Sequence, residues 1–327
     1  MMERSAQSRY RRRIILFSGV LTVSILLVIL AGTSISGGAP EEEVLEPDKK
    51  EYYVIYSLEI PDTLLFCGEP VPLDLFDVRE SLDRELLSNT YFHSQTIRLL
   101  KLCHRYFPVI EPILKKHGIP EDFKYLPVIE SGLANVVSPA HAVGFWQLAK
   151  GTARDYGLVV NSEVDQRYHL EKATEAACQY LLESYEKYGN WTMSAASYNA
   201  GRRGMDRQIE RQKQEVYYDL LLNQETARYI YRILAFKLIS EDPDAYGFQI
   251  PKNAMYDAVP YSTVSVSGSV ADFADFAAEH GTNYKMLKFL NPWLRDNTLV
   301  NSENRTYEIR IPAEGYRRSH SWEGMDF

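Results

Sequence analysis

The sequence predicts a mainly α-helical protein that has a membrane-spanning helix near its start and a small β-α-α-β unit near its end. Three observations predict this organisation. Residues 14–35 form an uncharged apolar run, residues 78–248 repeat apolar side chains at helical spacing without alternating strands, and residues 260–313 change to short strands and helices. The length of 327 residues fits about two folded units.

The apolar run at residues 14–35 is long enough to cross a bilayer as one helix. Because Arg9, Arg11, Arg12 and Arg13 precede it, the positive-inside rule predicts cytoplasmic residues 1–13 and an exported remainder. A cleaved signal peptide is the alternative. The run exceeds the usual signal core and no clean small-residue cleavage site follows it, which favours the anchor. Both interpretations export the chain.

Residues 36–77 are predicted to be a linker and arm. The first part is small, acidic and proline-containing, whereas residues 51–72 leave a short strand and an extended arm both open. Helical spacing follows from residue 78 to residue 248. The predicted helices with the strongest patterns are Thr96–His117, Glu121–Ser131, Ala173–Tyr188, Trp191–Ala200 and Gln224–Ser240. Pro127 is expected to disturb the second of these helices.

Proline, glycine, asparagine and aspartate between residues 242 and 259 mark a boundary. After it the sequence predicts a strand, two short helices and a closing strand. Their expected positions are Tyr261–Ser267, Val270–His280, Tyr284–Leu290 and Tyr307–Ile311. Residues 314–327 are polar and are predicted to be a frayed tail.

Charge and cysteine content exclude several classes of function. The formal net charge of −8 argues against a nucleic-acid partner, because such proteins present basic patches to phosphates. Cys67, Cys103 and Cys178 have no C-x-x-C spacing, so they predict neither a metal site nor a disulfide framework. Since no zinc-protease or phosphate-loop motif occurs either, we expect no metal, no cofactor and no nucleotide.

Glu130 is the candidate catalytic residue. It stands in the run YLPVIESGL, where apolar neighbours would raise the pKa of its carboxyl toward the value a general acid needs. On this stretch alone, an exposed glutamate in the last turn of a helix is the simpler interpretation.

Further motifs follow Glu130 in a fixed order. They are S-P-A-H-A-V-G-F-W-Q at residues 138–147, T-A at 152–153, A-A-S-Y-N-A-G at 195–201 and E-T-A-R-Y at 225–229. Together with E-S-G at 130–132, these blocks resemble the Slt-type lytic transglycosylases of the goose-type lysozyme superfamily. The resemblance covers about residues 66–248. It implies a lysozyme-like transglycosylase domain at 78–248 that acts on peptidoglycan glycan strands, with the catalytic part in the periplasm.

The resemblance also implies roles for single residues. Glu130 matches the sole catalytic acid/base of the family. The residues that match substrate-binding positions are Ser138, Gly144, Gln147, Tyr198, Asn199, Glu225 and Tyr229. His141 stands where the family usually has glycine, and a histidine tolerates the positive φ that such a glycine often serves.

The implied reaction needs one carboxyl group. Glu130 would protonate the oxygen between N-acetylmuramic acid and N-acetylglucosamine and would then take a proton from the muramoyl C6 hydroxyl, which attacks C1 and leaves a 1,6-anhydro end. A hydrolytic muramidase, with a second carboxylate that activates water, is the alternative. The nearby acids that could serve it are Asp155, Glu163, Asp165 and Glu225.

The C-terminal unit at residues 260–313 resembles a LysM domain, and such domains bind N-acetylglucosamine-containing glycans. The matching positions are Gly268–Val270, Phe276–Ala277, Gly281–Tyr284, Leu287, Leu290–Pro292 and Ile309–Pro312. A packing module without sugar binding remains open for this unit, and a non-catalytic peptidoglycan-binding protein remains open for the whole chain.

Overall fold

The computed structural model describes residues 56–317, so the predicted membrane helix at residues 14–35 lies outside it. Within the described range, no helix is both long enough and apolar enough to cross a membrane. A body of helices is followed by a small two-stranded unit, which confirms the mainly α prediction and the β-α-α-β order at the end.

The helices of the described range are numbered in chain order. They are α1 Phe76–Tyr91, α2 His93–Lys116, α3 Leu126–Ser131, α4 Lys150–Asp155, α5 Leu170–Tyr188, α6 Trp191–Ala200, α7 Arg202–Gln212, α8 Gln224–Glu241, α9 Phe273–Glu279 and α10 Tyr284–Leu290. Short 3-10 turns occur at Glu121–Tyr125, Gln166–Tyr168, Tyr217–Asp219, Asp244–Tyr246 and Lys252–Ala254. The strands pair antiparallel, β1 Leu65–Phe66 with β2 Glu69–Pro70 and β3 Tyr261–Val266 with β4 Tyr307–Pro312.

The helix predicted at Glu121–Ser131 is divided into a 3-10 turn and α3. Pro127 lies in the first turn of α3, where a missing N–H breaks no helical hydrogen bond. The expected disturbance therefore becomes a helix start, and α3 is left with a single turn and a half before Gly132 ends it with φ +62°.

The helix predicted at Val270–His280 begins later than expected. The Asp272 carboxylate caps the helix by accepting from the backbone N–H of Ala274, and Val270 instead forms a β-bridge with Leu299. By contrast, α7 has no counterpart among the predicted helices with strong patterns. It buries only Met205 and is otherwise mostly charged and polar, so few apolar residues mark it in the sequence.

Helix α8 is central to the body, where it packs against α1, α3 and α6. Asn223 caps its start by accepting from the N–H of Thr226. Its buried side chains are Thr226, Tyr229, Ile230, Tyr231, Ile233, Leu234, Ala235, Phe236 and Ile239. Because Tyr229 is one of these buried side chains, its position follows from the packing of the core.

The C-terminal unit packs directly onto the helical body. Val143, Val164 and Tyr168 of the body share one buried apolar cluster with residues of the unit, including Phe273 and Leu294. A β-bridge joins Val164 to Leu294. On either side of the bridge, the N–H of Asp165 donates to the carbonyl of Trp293 at 2.9 Å, and the N–H of Arg295 donates to the carbonyl of Glu163 at 2.7 Å. We call this contact the seam.

We expect a buried charge in the seam to destabilise the whole folded chain. Leu294 is 2% exposed, so Leu294→Asp should lower the free energy of unfolding by about 3 kcal/mol or more. Phe289→Asp is the control, because Phe289 is 49% exposed, and it should cost about 1 kcal/mol or less. Urea unfolding followed by tryptophan fluorescence and circular dichroism measures both. Two separate transitions in the wild type would contradict a shared core.

Candidate active site

Glu130 lies in the last turn of α3, beside an open cleft. The wall of the cleft comes from α1, α2, α3, the loop after α3 and α8, and the cleft volume is about 690 Å³. Its lining residues are Glu85, Ser88, Asn89, Phe92, Gln95, Leu99, Val128, Ile129, Glu130, Ser131, Gly132, Val136, Gln224, Glu225, Arg228 and Arg232. The geometry thus places a mostly buried carboxyl at the wall of a cleft large enough for sugar rings.

Burial raises the pKa of the Glu130 carboxyl from its usual 4.5 to about 7. Two neighbours oppose this shift, since the hydroxyl of Tyr229 and the cation of Arg232 both lower the pKa, while the charge of Glu225 raises it. A carboxyl with this pKa carries a proton for much of the time at neutral pH. It can therefore act first as an acid and then as a base.

The hydroxyl of Tyr229 fixes the Glu130 carboxyl in place. It donates to Oε1 of Glu130 at 2.5 Å, and Tyr229 is only 1% exposed. Burial, followed by the charge of Glu130, raises the pKa of the Tyr229 hydroxyl well above its usual value. The tyrosine therefore stays protonated and acts as a donor throughout the neutral range.

A tight loop after α3 depends on a glycine at residue 144. Gly144 has φ +82°, and a Cβ there would lie 2.1 Å from the carbonyl oxygen of Arg167. Both the backbone angle and the close approach exclude any other residue. The Ser131 hydroxyl connects this loop to α3, because its Oγ donates to the carbonyl of Phe145 at 2.8 Å.

Arg167 holds the same loop from its other side. Its guanidinium pairs with Asp165 at 2.7 Å and donates to the carbonyls of His141 at 3.2 Å and Leu148 at 3.3 Å. Both charged residues are buried. Because Asp165 also takes part in the seam through its backbone, one ion pair connects the C-terminal unit to the loop that follows α3.

The structure brings together part of the predicted site. Glu130 and Glu225 line the cleft, and Tyr229 contacts Glu130 directly. Asn199 stands beside Glu225, with its Nδ2 donating to Oε1 of that residue at 3.3 Å. Gly144 shapes the adjacent loop from outside the cleft lining.

Three other predicted residues make internal hydrogen bonds. The Ser138 hydroxyl accepts from the N–H of Ala142 at 3.0 Å, and the Gln147 amide donates to the carbonyls of Val136 and Gly144. The Tyr198 hydroxyl donates to the carbonyl of Trp146 at 2.7 Å. These side chains support the loop in the structure, and their contact with a substrate stays a prediction.

The backbone at His141 adopts φ +60°, which is the positive angle that a glycine at this position would serve. The N–H of His141 donates to the carbonyl of Ser138 at 2.9 Å and closes a turn. Histidine is therefore accommodated here.

The cleft also contains residues that the motifs did not single out. Arg228 binds the carboxylate of Glu85 with both ends of its guanidinium, at 2.7 and 3.0 Å. Arg232 and the exposed ring of Phe92 also line the cleft. One sequence signal could have indicated the two arginines. Arg228 and Arg232 follow Glu225 on α8 at spacings of three and four residues, which puts all three on one face of the helix.

Comparison with known proteins agrees with these features. Residues 107–220 match the family model described as "Transglycosylase SLT domain", and residues 262–315 match "Soluble lytic transglycosylase C-terminal LysM-like domain". The chain is similar to membrane-bound lytic murein transglycosylase D from two strains of Escherichia coli, K12 and O6:H1, with 28% identity over 247 residues. The resemblance predicted from the motifs is thus confirmed. Each match covers 73% of this chain and 53% of the relative, so the chain spans about half the length of those proteins.

We expect Glu130→Gln to stabilise the protein at neutral and higher pH. Between pH 4.5 and about 7 the unfolded chain has lost this proton and the folded chain still holds it, so the free energy of unfolding falls as pH rises. Above this window both states are ionised, and the loss of stability is constant. The variant lacks this cost, so its advantage should grow from zero below pH 4 to at most about 3 kcal/mol above pH 8.

Urea unfolding at several pH values measures the difference, with Glu210→Gln as the control because Glu210 is exposed on α7. The control should remain within about 0.5 kcal/mol of the wild type at every pH. If the difference in the free energy of unfolding between Glu130→Gln and the wild type does not vary between pH 4 and pH 8, burial does not raise the pKa of this carboxyl.

Proposed function

We propose that this chain is a peptidoglycan lytic transglycosylase in which Glu130 is the single acid/base. The observation that carries the proposal is the Glu130 carboxyl, which burial gives a pKa of about 7 at the wall of an open cleft. The SLT and LysM-like domain matches and the similarity to a murein transglycosylase support the substrate class.

In the proposed reaction, protonated Glu130 gives its proton to the oxygen that joins N-acetylmuramic acid to N-acetylglucosamine. The bond from that oxygen to the muramoyl C1 breaks. The resulting Glu130 carboxylate then takes the proton of the muramoyl C6 hydroxyl, whose oxygen attacks C1. The products are a 1,6-anhydromuramoyl end and a free 4-hydroxyl, and Glu130 regains its proton. An attack by a hydroxyl of the same sugar needs no bound water and benefits from proximity.

Three of the four acids that could activate a water have other roles in the structure. Asp165 is paired with Arg167, and the carboxylate of Glu163 accepts from the N–H of Val300 at 3.1 Å. Asp155 lines a different surface pocket. Glu225 alone among the four shares the cleft with Glu130. A hydrolytic muramidase that uses Glu225 is therefore the second candidate.

The exported location is part of the same proposal. Peptidoglycan lies outside the cytoplasmic membrane, so the catalytic part would act in the periplasm. The predicted anchor at residues 14–35 would hold it near the membrane surface.

Product analysis separates the candidates. We expect peptidoglycan digested by the full chain to release fragments with 1,6-anhydromuramoyl ends in mass spectrometry. Glu130→Gln should reduce the release about 10²- to 10⁴-fold, because it removes the general acid/base. Glu225→Gln should keep the anhydro product. Reducing ends that disappear with Glu225→Gln would favour the muramidase, and binding without release would favour a non-catalytic protein.

We expect Tyr229→Phe to move the alkaline limb of the pH–rate profile upward. Activity requires protonated Glu130, so it should fall as pH rises through the pKa of about 7. The Tyr229 hydroxyl lowers that pKa by hydrogen bonding to the carboxylate. Its removal should shift the limb of kcat/KM by roughly one pH unit to higher pH. An unchanged limb or a shift to lower pH would show that the tyrosine does not act through Glu130.

A further inference from the structure

Two arginines, Arg228 and Arg232, lie one turn apart on the cleft side of α8. Because both are arginines on the same helix and on the same wall of the cleft, their surroundings can be compared directly. They differ in their partners, and that difference indicates what Arg232 does.

Arg228 is satisfied within the protein. Its Nε and Nη2 bind both carboxylate oxygens of Glu85, which is 1% exposed and also pairs with Arg84 at 3.1 Å. Removal of this guanidinium would leave a buried carboxylate with one cation at its edge. The role of Arg228 is therefore to neutralise Glu85 and to join α8 to α1.

Arg232 has no such partner. It is half-buried, it forms no ion pair with any residue between 56 and 317, and its hydrogen bond to the carbonyl of Ile129 is long at 3.4 Å. A guanidinium has five donors in a fork that matches a carboxylate. Its charge lowers the pKa of the nearby Glu130 carboxyl, but no carboxylate of residues 56–317 lies within ion-pair distance of its guanidinium, so the fork is open to an anion.

The surroundings of Arg232 favour a sugar that carries the anion. Ile129, its one carbonyl partner, is adjacent to Glu130, which puts the free cation next to the reacting carboxyl. The same cleft contains the side-chain amides of Asn89 and Gln95 and the ring of Phe92, which is 64% exposed. Aromatic faces and amides suit an N-acetylated sugar ring, and the unpaired cation suits a carboxylate on it.

We propose that Arg232 is a specificity residue that binds a carboxylate carried by the muramoyl residue beside the bond that Glu130 protonates. This inference rests on the proposed function, and it adds the preference for an acidic over a neutral glycan. The carboxylate has two sources with the same chemistry. It is the lactyl group where the glycan has no peptide, or a free carboxylate of the stem peptide where one is attached.

Binding tests the inference without turnover. Glu130→Gln serves as the background, and its affinity is measured by calorimetry for a neutral chitotetraose, a peptide-free muramoyl tetrasaccharide and the same tetrasaccharide with stem peptides. Adding Arg232→Gln should weaken at least one acidic ligand roughly tenfold or more and leave chitotetraose unchanged. Arg232→Lys should restore part of the loss because the charge returns without the fork.

The pattern of loss identifies the source. A loss confined to the peptide-free ligand assigns the lactyl carboxylate, and a loss confined to the peptide-bearing ligand assigns the stem. Arg207→Gln is the matched control, because Arg207 is exposed on α7 away from the cleft lining, and it should change none of the affinities.

Two outcomes would overturn the inference while the proposed function survives. One is an equal loss for chitotetraose and the acidic ligands, which would assign Arg232 a structural role. The other is no loss for any ligand. A third outcome would contradict the proposed function itself, and this inference with it. In that outcome the Glu130→Gln protein binds none of the three ligands and the wild type releases no fragments.

Discussion

The buried guanidinium of Arg167 connects the parts on which the site depends. It pairs with Asp165, whose backbone belongs to the seam, and it donates to two carbonyls of the loop that follows α3. Its own carbonyl lies against Gly144. A buried ion pair contributes little net stability, since desolvation offsets the attraction. The pair instead fixes the relative positions of its partners. The planar guanidinium can donate to the Asp165 carboxylate and to the carbonyls of His141 and Leu148 together only in one arrangement.

Glu130, the proposed acid/base, illustrates how opposing effects bring the pKa of a buried carboxyl near neutrality. Burial alone would raise the pKa further and make the carboxyl a weaker proton donor in the first half of the proposed reaction. The Tyr229 hydroxyl and the Arg232 cation alone would keep it ionised and unable to donate a proton. The resulting pKa of about 7 allows both steps. Helix α8 supplies both opposing neighbours, so the packing of one helix fixes this balance.

The sequence predicted more of the fold than of the site. Apolar periodicity located most helices, and the helix end predicted at Ser131 matches the end of α3. Motif order located Glu130 and Glu225, which line the cleft, and Tyr229, which contacts Glu130. The partner of Arg228 was not predictable, because Glu85 is 143 residues from Arg228 in the chain and no local pattern joins them. The seam was missed for the same reason, since its bridge pairs Val164 with Leu294 across two separately predicted units.

The seam changes what the C-terminal unit contributes. A module on a free linker raises the local concentration of its ligand, and the gain depends on the reach of that linker. Here the unit is joined to the body by a β-bridge, a shared apolar cluster and the ion pair of Arg310 with Glu171, so it searches no volume of its own. Its packing instead stabilises residues 163–168, which include Asp165 and Arg167. Through that pair the unit becomes part of the support for the loop that follows α3, whether or not its own surface binds a sugar.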